Sequence, residues 1–177
     1  EPRKNHALLM DVFERIHHQY PWVKLVFIGK KGWNVDELIG RITEHSLYQK
    51  RLFWFSHVKD DMLSLFYKNC ALSILPSFYE GYGLPVIESL MNGKIVLCSN
   101  KGSLPEVGGG YADYFDPSNA GTLEELLMKY LSSSKKRKER EAVVKYFTPY
   151  TWHESAEDLI HILEDFVSRK HLEKMKG

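Results

Sequence analysis

Two glutamates and two glycines crowd into Ser77-Phe-Tyr-Glu-Gly-Tyr-Gly-Leu-Pro-Val-Ile-Glu88. Ionised carboxylates accept hydrogen bonds from hydroxyls, the groups that a sugar or a ribose presents. Glycines let a backbone approach a ligand closely, and the first amides of a helix point outward without intrahelical partners. Together these features suit a phosphate. Gly81 and Gly83 alone are equally well explained by a tight strand-to-helix turn, and glutamates on an arbitrary helix are usually solvated. The acids add weight because of their spacing. Glu88 lies one turn after Leu84 on the same side of a helix, so Glu80 and Glu88 are expected to face one crevice.

The surrounding elements must hold that loop at a sheet edge. Ala71–Leu75 reads as a strand stopped by Pro76, and residues 84–92 read as a helix with Pro85 in its first turn. Upstream, residues 5–20 carry Leu8, Leu9, Val12, Phe13 and Ile16 at helical spacing, with Asn5 as N-cap. Val23–Ile28 is an apolar run expected to be a strand buried on both faces. A helix over 35–47, a strand over 52–55 and a helix capped by Asp60 or Asp61 follow. Further strands are expected at 95–98 and 112–115. Capping boxes are predicted at Thr122/Glu125 and Thr151/Glu154, each ahead of an apolar helix. Strands alternating with helices imply an open, doubly wound parallel sheet with helices on both faces. Ligands of such sheets bind outside the carboxyl ends of the strands. If a strand preceded residue 1, it would be central, and the segment Glu1–Asn5 would face the glutamate loop across one cleft.

The length of 177 residues fits one domain. With 44% hydrophobic and 27% charged residues, disordered and fibrous classes are excluded. Lys+Arg is 24 against Asp+Glu 23, so no global field selects nucleic acid, and no recognition motif supports that partner. No apolar run approaches the ~18 residues of a membrane span. Cys70 and Cys98 read as buried, inert thiols. The 8 histidines include His17-His18 and His153 but show no ligand-spaced cluster with Cys or Asp, so no metal site is expected. Trp22, Trp33, Trp54 and Trp152 read as core or edge residues, Trp33 also as a shield for a ligand. The run Lys135-Lys-Arg-Lys138 reads as a solvated helix start, with contact to anionic lipid as the rival reading.

The glutamate loop resembles the signature of family 4 (group 1) retaining glycosyltransferases, which is Glu, seven residues, Glu with an EGFGLP core; Tyr82 stands where Phe is common. Glu1-Pro-Arg-Lys-Asn5, Phe55-Ser-His-Val58, Gly102-Ser-Leu-Pro-Glu-Val107 and Tyr114-Phe-Asp-Pro117 resemble further family segments in the same order. The resemblance implies an enzyme of two Rossmann-like domains, the GT-B arrangement. Residues 1–177 would be its single C-terminal domain, a fragment inactive without the N-terminal acceptor half. It implies transfer of a hexose from a nucleotide-diphosphate sugar to a glycan or lipid-linked acceptor, with retained anomeric configuration and no metal or other cofactor. Lys4 would pair with the diphosphate and Glu80 would contact donor-sugar hydroxyls, as the catalytic pair. Glu88 would take the ribose hydroxyls, the backbone around Gly81, Tyr82, Gly83 and Leu84 the phosphate or sugar, and Val58 the nucleobase, with His57 beside it. Ser77 and Arg3 join the donor-binding set, although the family's usual arginine lies several residues before the lysine, which argues for Arg3 as a surface neighbour. By family frequency the setting is polysaccharide or lipopolysaccharide synthesis in a bacterial cytoplasm, including the inner face of the membrane. Two other readings stay open: a non-catalytic nucleotide- or sugar-binding regulatory module on the same fold, and a degenerate transferase kept as a partner subunit.

Overall fold

A computed structural model describes residues 1–174 and divides the chain into two compact units, Glu1–Phe147 and Thr148–Gly177. The first unit runs through a 3-10 turn at Pro2–Lys4, α1 (His6–Ile16), β1 (Leu25–Ile28), α2 (Asp36–Thr43), β2 (Leu52–Phe55), α3 (Asp60–Asn69), β3 (Leu72–Leu75), α4 (Leu84–Met91), β4 (Ile95–Ser99), α5 (Leu104–Gly108), a 3-10 turn at Gly109–Tyr111, β5 (Asp113–Phe115), α6 (Ala120–Leu131) and α7 (Ser134–Val144). All strand pairs are parallel, which places every strand-to-helix loop of a sheet at one edge.

β4 shows why helices cover two faces. Successive side chains of a strand point to opposite sides. Ile95 and Leu97 enter a core with Leu9, Phe13 and Ile16 of α1 and Leu123, Leu127 and Tyr130 of α6. Val96 and Cys98 enter a second core with Val86 and Leu90 of α4, Leu104 of α5 and Val144 of α7. Both faces are apolar, so the strand reads as an unbroken hydrophobic run.

Two expectations about the sheet need correcting in detail. Among the described residues the strands form two sheets, β1-β2 and β3-β4-β5, rather than one. In a doubly wound order the first strand separates these pairs, and no described segment of this chain occupies that place. β1 is also not buried on both faces: Val26 and Ile28 are each 37% exposed, while Phe27 is buried. One side of β1 packs into the core and the other stays open.

Local chemistry moved several boundaries. Asn5 sits at the N-cap of α1 with left-handed backbone, φ 53, but its side chain donates to Pro117 O at 2.9 Å instead of capping. α6 is capped by Asn119, whose Oδ1 accepts from Gly121 N at 3.0 Å. Thr122 is therefore not a cap; its hydroxyl turns back to Asn119 O at 2.8 Å. Lys59 occupies the cap of α3, with Asp60 and Asp61 in its first turn, where acids favour the helix dipole. Trp22 and Trp33 are exposed, not core; Trp54 is half-buried and donates to Gly29 O at 3.0 Å. Cys98 is buried and Cys70 half-buried, both as free thiols. Burial drives the Cys98 thiol up to about 12, which keeps it inert.

In the second unit, α8 (Trp152–Lys174) opens with the expected capping box. Thr151 N donates to Glu154 Oε2 at 2.6 Å and Glu154 N to Thr151 Oγ1 at 3.2 Å. Trp152, Leu159, Ile160, Leu163 and Val167 of this helix are exposed. No described helix is long and apolar enough to cross a membrane.

Candidate functional site

The glutamate loop leaves β3 at Pro76 and enters α4 at Leu84. Gly83 makes that entry possible. Its φ is +93, a conformation that costs an L-residue strain, and a Cβ there would stand 2.7 Å from Leu104 Cδ2. Gly81 is different, because a Cβ on it would meet nothing within 4 Å. The loop is open on the side that Gly81 faces. Ser77 is buried, whereas Phe78, Tyr79, Tyr82 and Leu84 are exposed. Among the described residues, the backbone amides of Gly81, Tyr82, Gly83 and Leu84 donate to no protein acceptor. Unpaired amides at a strand-to-helix turn suit anionic or hydroxylated oxygens; Gly81, Tyr82 and Leu84 are exposed, while Gly83 is buried.

Glu80 is held firmly. Ser77 Oγ donates to its Oε1 at 2.7 Å, and Arg3 Nη1 donates to its Oε2 at 3.0 Å. Arg3 also donates to Tyr79 O at 2.9 Å and pairs through Nε with Glu1 at 2.8 Å. The backbone joins in, since Phe78 N donates to Arg3 O at 2.8 Å. Arg3 is thus a surface residue that clamps the loop. Burial pushes the Glu80 carboxyl up, but bonds from Ser77 and Arg3 and the charges of Lys4 and Arg3 overcome this and hold it below the usual range. Glu80 remains an ionised acceptor. Behind it, Ser103 Oγ donates to Glu80 O at 3.0 Å, and Gly102, φ +60, lies so close that a Cβ would stand 3.3 Å from Glu80 N. The segment Gly102–Val107, noted in the sequence as a separate family segment, is the support of the loop.

Lys4 sits in the turn beside Arg3 and makes no ion pair among the described residues. It lines a cavity of about 200 Å³ with His6, Phe27, Gly29, Lys30, Trp54 and neighbours. That is smaller than the ~300–1,000 Å³ of ordinary ligand pockets, and neither glutamate lines it. The glutamate loop lies outside this cavity. His6 meets Phe27 edge-on at 5.7 Å, and burial, aided by the charge of Lys4, lowers its pKa to about 4.

Glu88 lies half-buried in α4 and accepts from Tyr67 Oη of α3 at 3.0 Å. The structure joins it to α3, while Glu80 is joined to the Arg3 segment; no hydrogen bond among the described residues links the two acids, so the expected common crevice is not carried by a contact between them. Val58 is half-buried and His57 exposed in the turn between β2 and α3, where His57 Nδ1 lies 3.0 Å from Ser56 Oγ. Tyr67 and Ser103 escaped the sequence reading. Tyr67 carried the aromatic pattern of an ordinary helix residue, and only the packing of α3 against α4 gives its hydroxyl a task. Among the described residues no three His, Cys, Asp or Glu side chains are placed to hold a metal ion.

Comparison with known proteins gives this geometry a context. "Serotype-specific mannosyltransferase WbdA" of Escherichia coli is 33% identical over 164 residues, 90% of this chain and 19% of that protein. "O-antigen chain mannosyltransferase B", also of Escherichia coli, is 31% identical over 135 residues, 74% of this chain and 34% of that protein. The chain thus spans only about a fifth to a third of these relatives. The C-terminal domain of a glycosyl transferase group 1 protein (LpcC) from Francisella tularensis superposes with a TM-score of 0.70 at 17% identity, over 80% of this chain and 75% of that one. Anabaena HepE, solved in complex with UDP, gives 0.74 at 18% identity, over 93% and 46%. These likenesses show the fold, an α/β domain of the kind that forms the C-terminal half of GT-B transferases. The profile described as "Glycosyl transferases group 1" matches residues 1–147, the whole of the first unit, and the chain belongs to that family.

Proposed function

We propose that this chain binds the sugar donor in a retaining glycosyltransferase, and that the donor is a nucleoside diphosphate hexose, mannose by the names of its relatives. The observation that carries the reading is the row of four free amides, Gly81 to Leu84, beside the ionised Glu80. Those donors suit phosphate or sugar oxygens, and the acceptor suits sugar hydroxyls. Lys4, unpaired among the described residues, takes the diphosphate. Ser77 and Arg3 act through Glu80. Glu88 takes the ribose hydroxyls, and the backbone at Val58 borders the base.

As the bond from the anomeric carbon to the diphosphate breaks, negative charge gathers on the leaving oxygens. Lys4 and the amide array stabilise that charge more strongly than the ground state, which is the condition for accelerating the step. Glu80 orients the sugar and is not a covalent nucleophile. The step needs no metal in this scheme. An acceptor half beyond these residues completes the enzyme, so residues 1–177 form its C-terminal domain. The acceptor is a growing glycan or a lipid-linked one.

Calorimetric titration of the chain with UDP, GDP and their mannose and glucose conjugates tests the proposal. Binding at millimolar affinity or better, tightest for a mannose conjugate, is expected, and Glu88→Ala should weaken it. A folded sample that binds none of these ligands would rule the reading out.

A further inference from the structure

Glu88 owes its orientation to a residue outside the family motif. Tyr67 Oη donates to Glu88 Oε2 at 3.0 Å. The donor is durable, because burial, then the charge and bond of Glu88, push the phenol well above its ordinary pKa and the proton stays on oxygen. Each partner is held from behind. Cys70 Sγ donates to Tyr67 O at 3.3 Å, and the ring of the preceding Phe66 packs on Phe55 of β2 with centroids 5.3 Å apart. On α4, Asn92 Nδ2 donates to Glu88 O at 2.8 Å, and Ser89 Oγ, fully buried, lies 2.6 Å from Ser73 Oγ of β3. Each helix is thus tied to its own strand, α3 to β2 and α4 to β3, and the Tyr67 hydroxyl bonds across to the Glu88 side chain, restricting its torsions.

We propose that Tyr67 is a positioning residue. By occupying Oε2 it presents Oε1 of Glu88 as the acceptor for the vicinal diol of the donor's ribose, and so gives the site its preference for ribonucleotides. The inference rests on the reading of Glu88 as the ribose ligand. A glutamate with three free torsions would have to be ordered on binding, and Tyr67 does that ordering in the empty protein. The consequence falls on selectivity, since a nucleotide without ribose hydroxyls gains nothing from an aligned Glu88.

The test is calorimetry on the full chain with GDP or UDP, whichever binds, against its 2′,3′-dideoxy counterpart. The unsubstituted chain is expected to prefer the ribonucleotide. Tyr67→Phe should cut that preference by about tenfold, the scale of one hydrogen bond to a charged group, with dideoxy binding unchanged. In a Glu88→Gln background the same substitution should change the preference no further. Tyr67→Phe removes one oxygen from a half-buried ring and keeps the packing, and the ratio of affinities does not depend on the folded fraction of the sample. A preference that survives Tyr67→Phe, or an equal loss for both nucleotides, overturns the positioning role while leaving donor binding intact. No nucleotide binding by the unsubstituted chain overturns both readings.

Discussion

Glu80 is a carboxylate under opposing pressures, and the outcome can be measured. Burial favours its neutral form, while the Ser77 and Arg3 bonds and the Lys4 and Arg3 charges favour the anion and prevail. A carboxyl depressed in the fold contributes fully above its unfolded pKa and loses that contribution as pH falls through its folded value. Ser77→Ala removes the 2.7 Å donor to Oε1 and should weaken nucleotide-sugar binding about tenfold. The acid limb of the binding profile should move to higher pH, because the anion has lost a partner. Binding measured from pH 3 to 7 would show both, and an unmoved acid limb would count against the clamp. The motif that carries the two acids was legible in the sequence, since their spacing and the glycines between them are local facts, but the separate partners that the fold gives them were not. Arg3 was among the sequence candidates, but its bond to Glu80, like that of Tyr67 to Glu88, acts across more than 20 positions of chain on a partner that only tertiary packing supplies.

At the scale of elements, the two glycines of the loop separate folding from binding. Gly83→Ala puts a methyl into Leu104 at a left-handed position and should cost about 1–3 kcal/mol in denaturant unfolding. Gly81→Ala has open space and no positive φ, so stability should stay within about 0.5 kcal/mol. On the proposed reading its methyl enters the open side of the loop where a donor would sit, and calorimetry should show weaker donor binding. Equal destabilisation by the two substitutions would refute the distinction. The sequence announced β2 at its observed ends and β4 within one residue, because short apolar runs between turn residues have few alternatives. α5 stayed hidden: Leu104-Pro-Glu-Val-Gly108 is little more than one turn, too short for periodicity to show. The cap of α6 was misplaced because Thr122 and Asn119 both carry capping chemistry, and only the path of the chain decides which side chain reaches an amide.

Across the whole first unit, the alternation of strands and helices made the parallel α/β architecture legible, while the division into two sheets and the open side of β1 depended on what covers each edge and face. His6 links this architecture to pH. Its folded pKa of about 4 lies below the unfolded value near 6.5. The unfolded chain therefore binds more protons between those values, and stability, complete above about pH 6.5, should fall by about 2–3 kcal/mol as pH drops to 4. His6→Phe, which keeps the edge contact with Phe27, should flatten that stretch of the urea-midpoint curve; an unchanged slope would assign the acid sensitivity elsewhere. β4, finally, lies between β3 and β5 with all five residues buried, and β3 runs alongside it up to the root of the glutamate loop. That root is anchored beside a fully buried strand. On the proposed reading, accommodation of a sugar falls to Phe78, Tyr79 and Tyr82, whose side chains are exposed, while Glu80 stays held by Ser77 and Arg3. On that reading, changes to those three side chains would retune which sugar fits while the backbone and Glu80 beneath them stay the same.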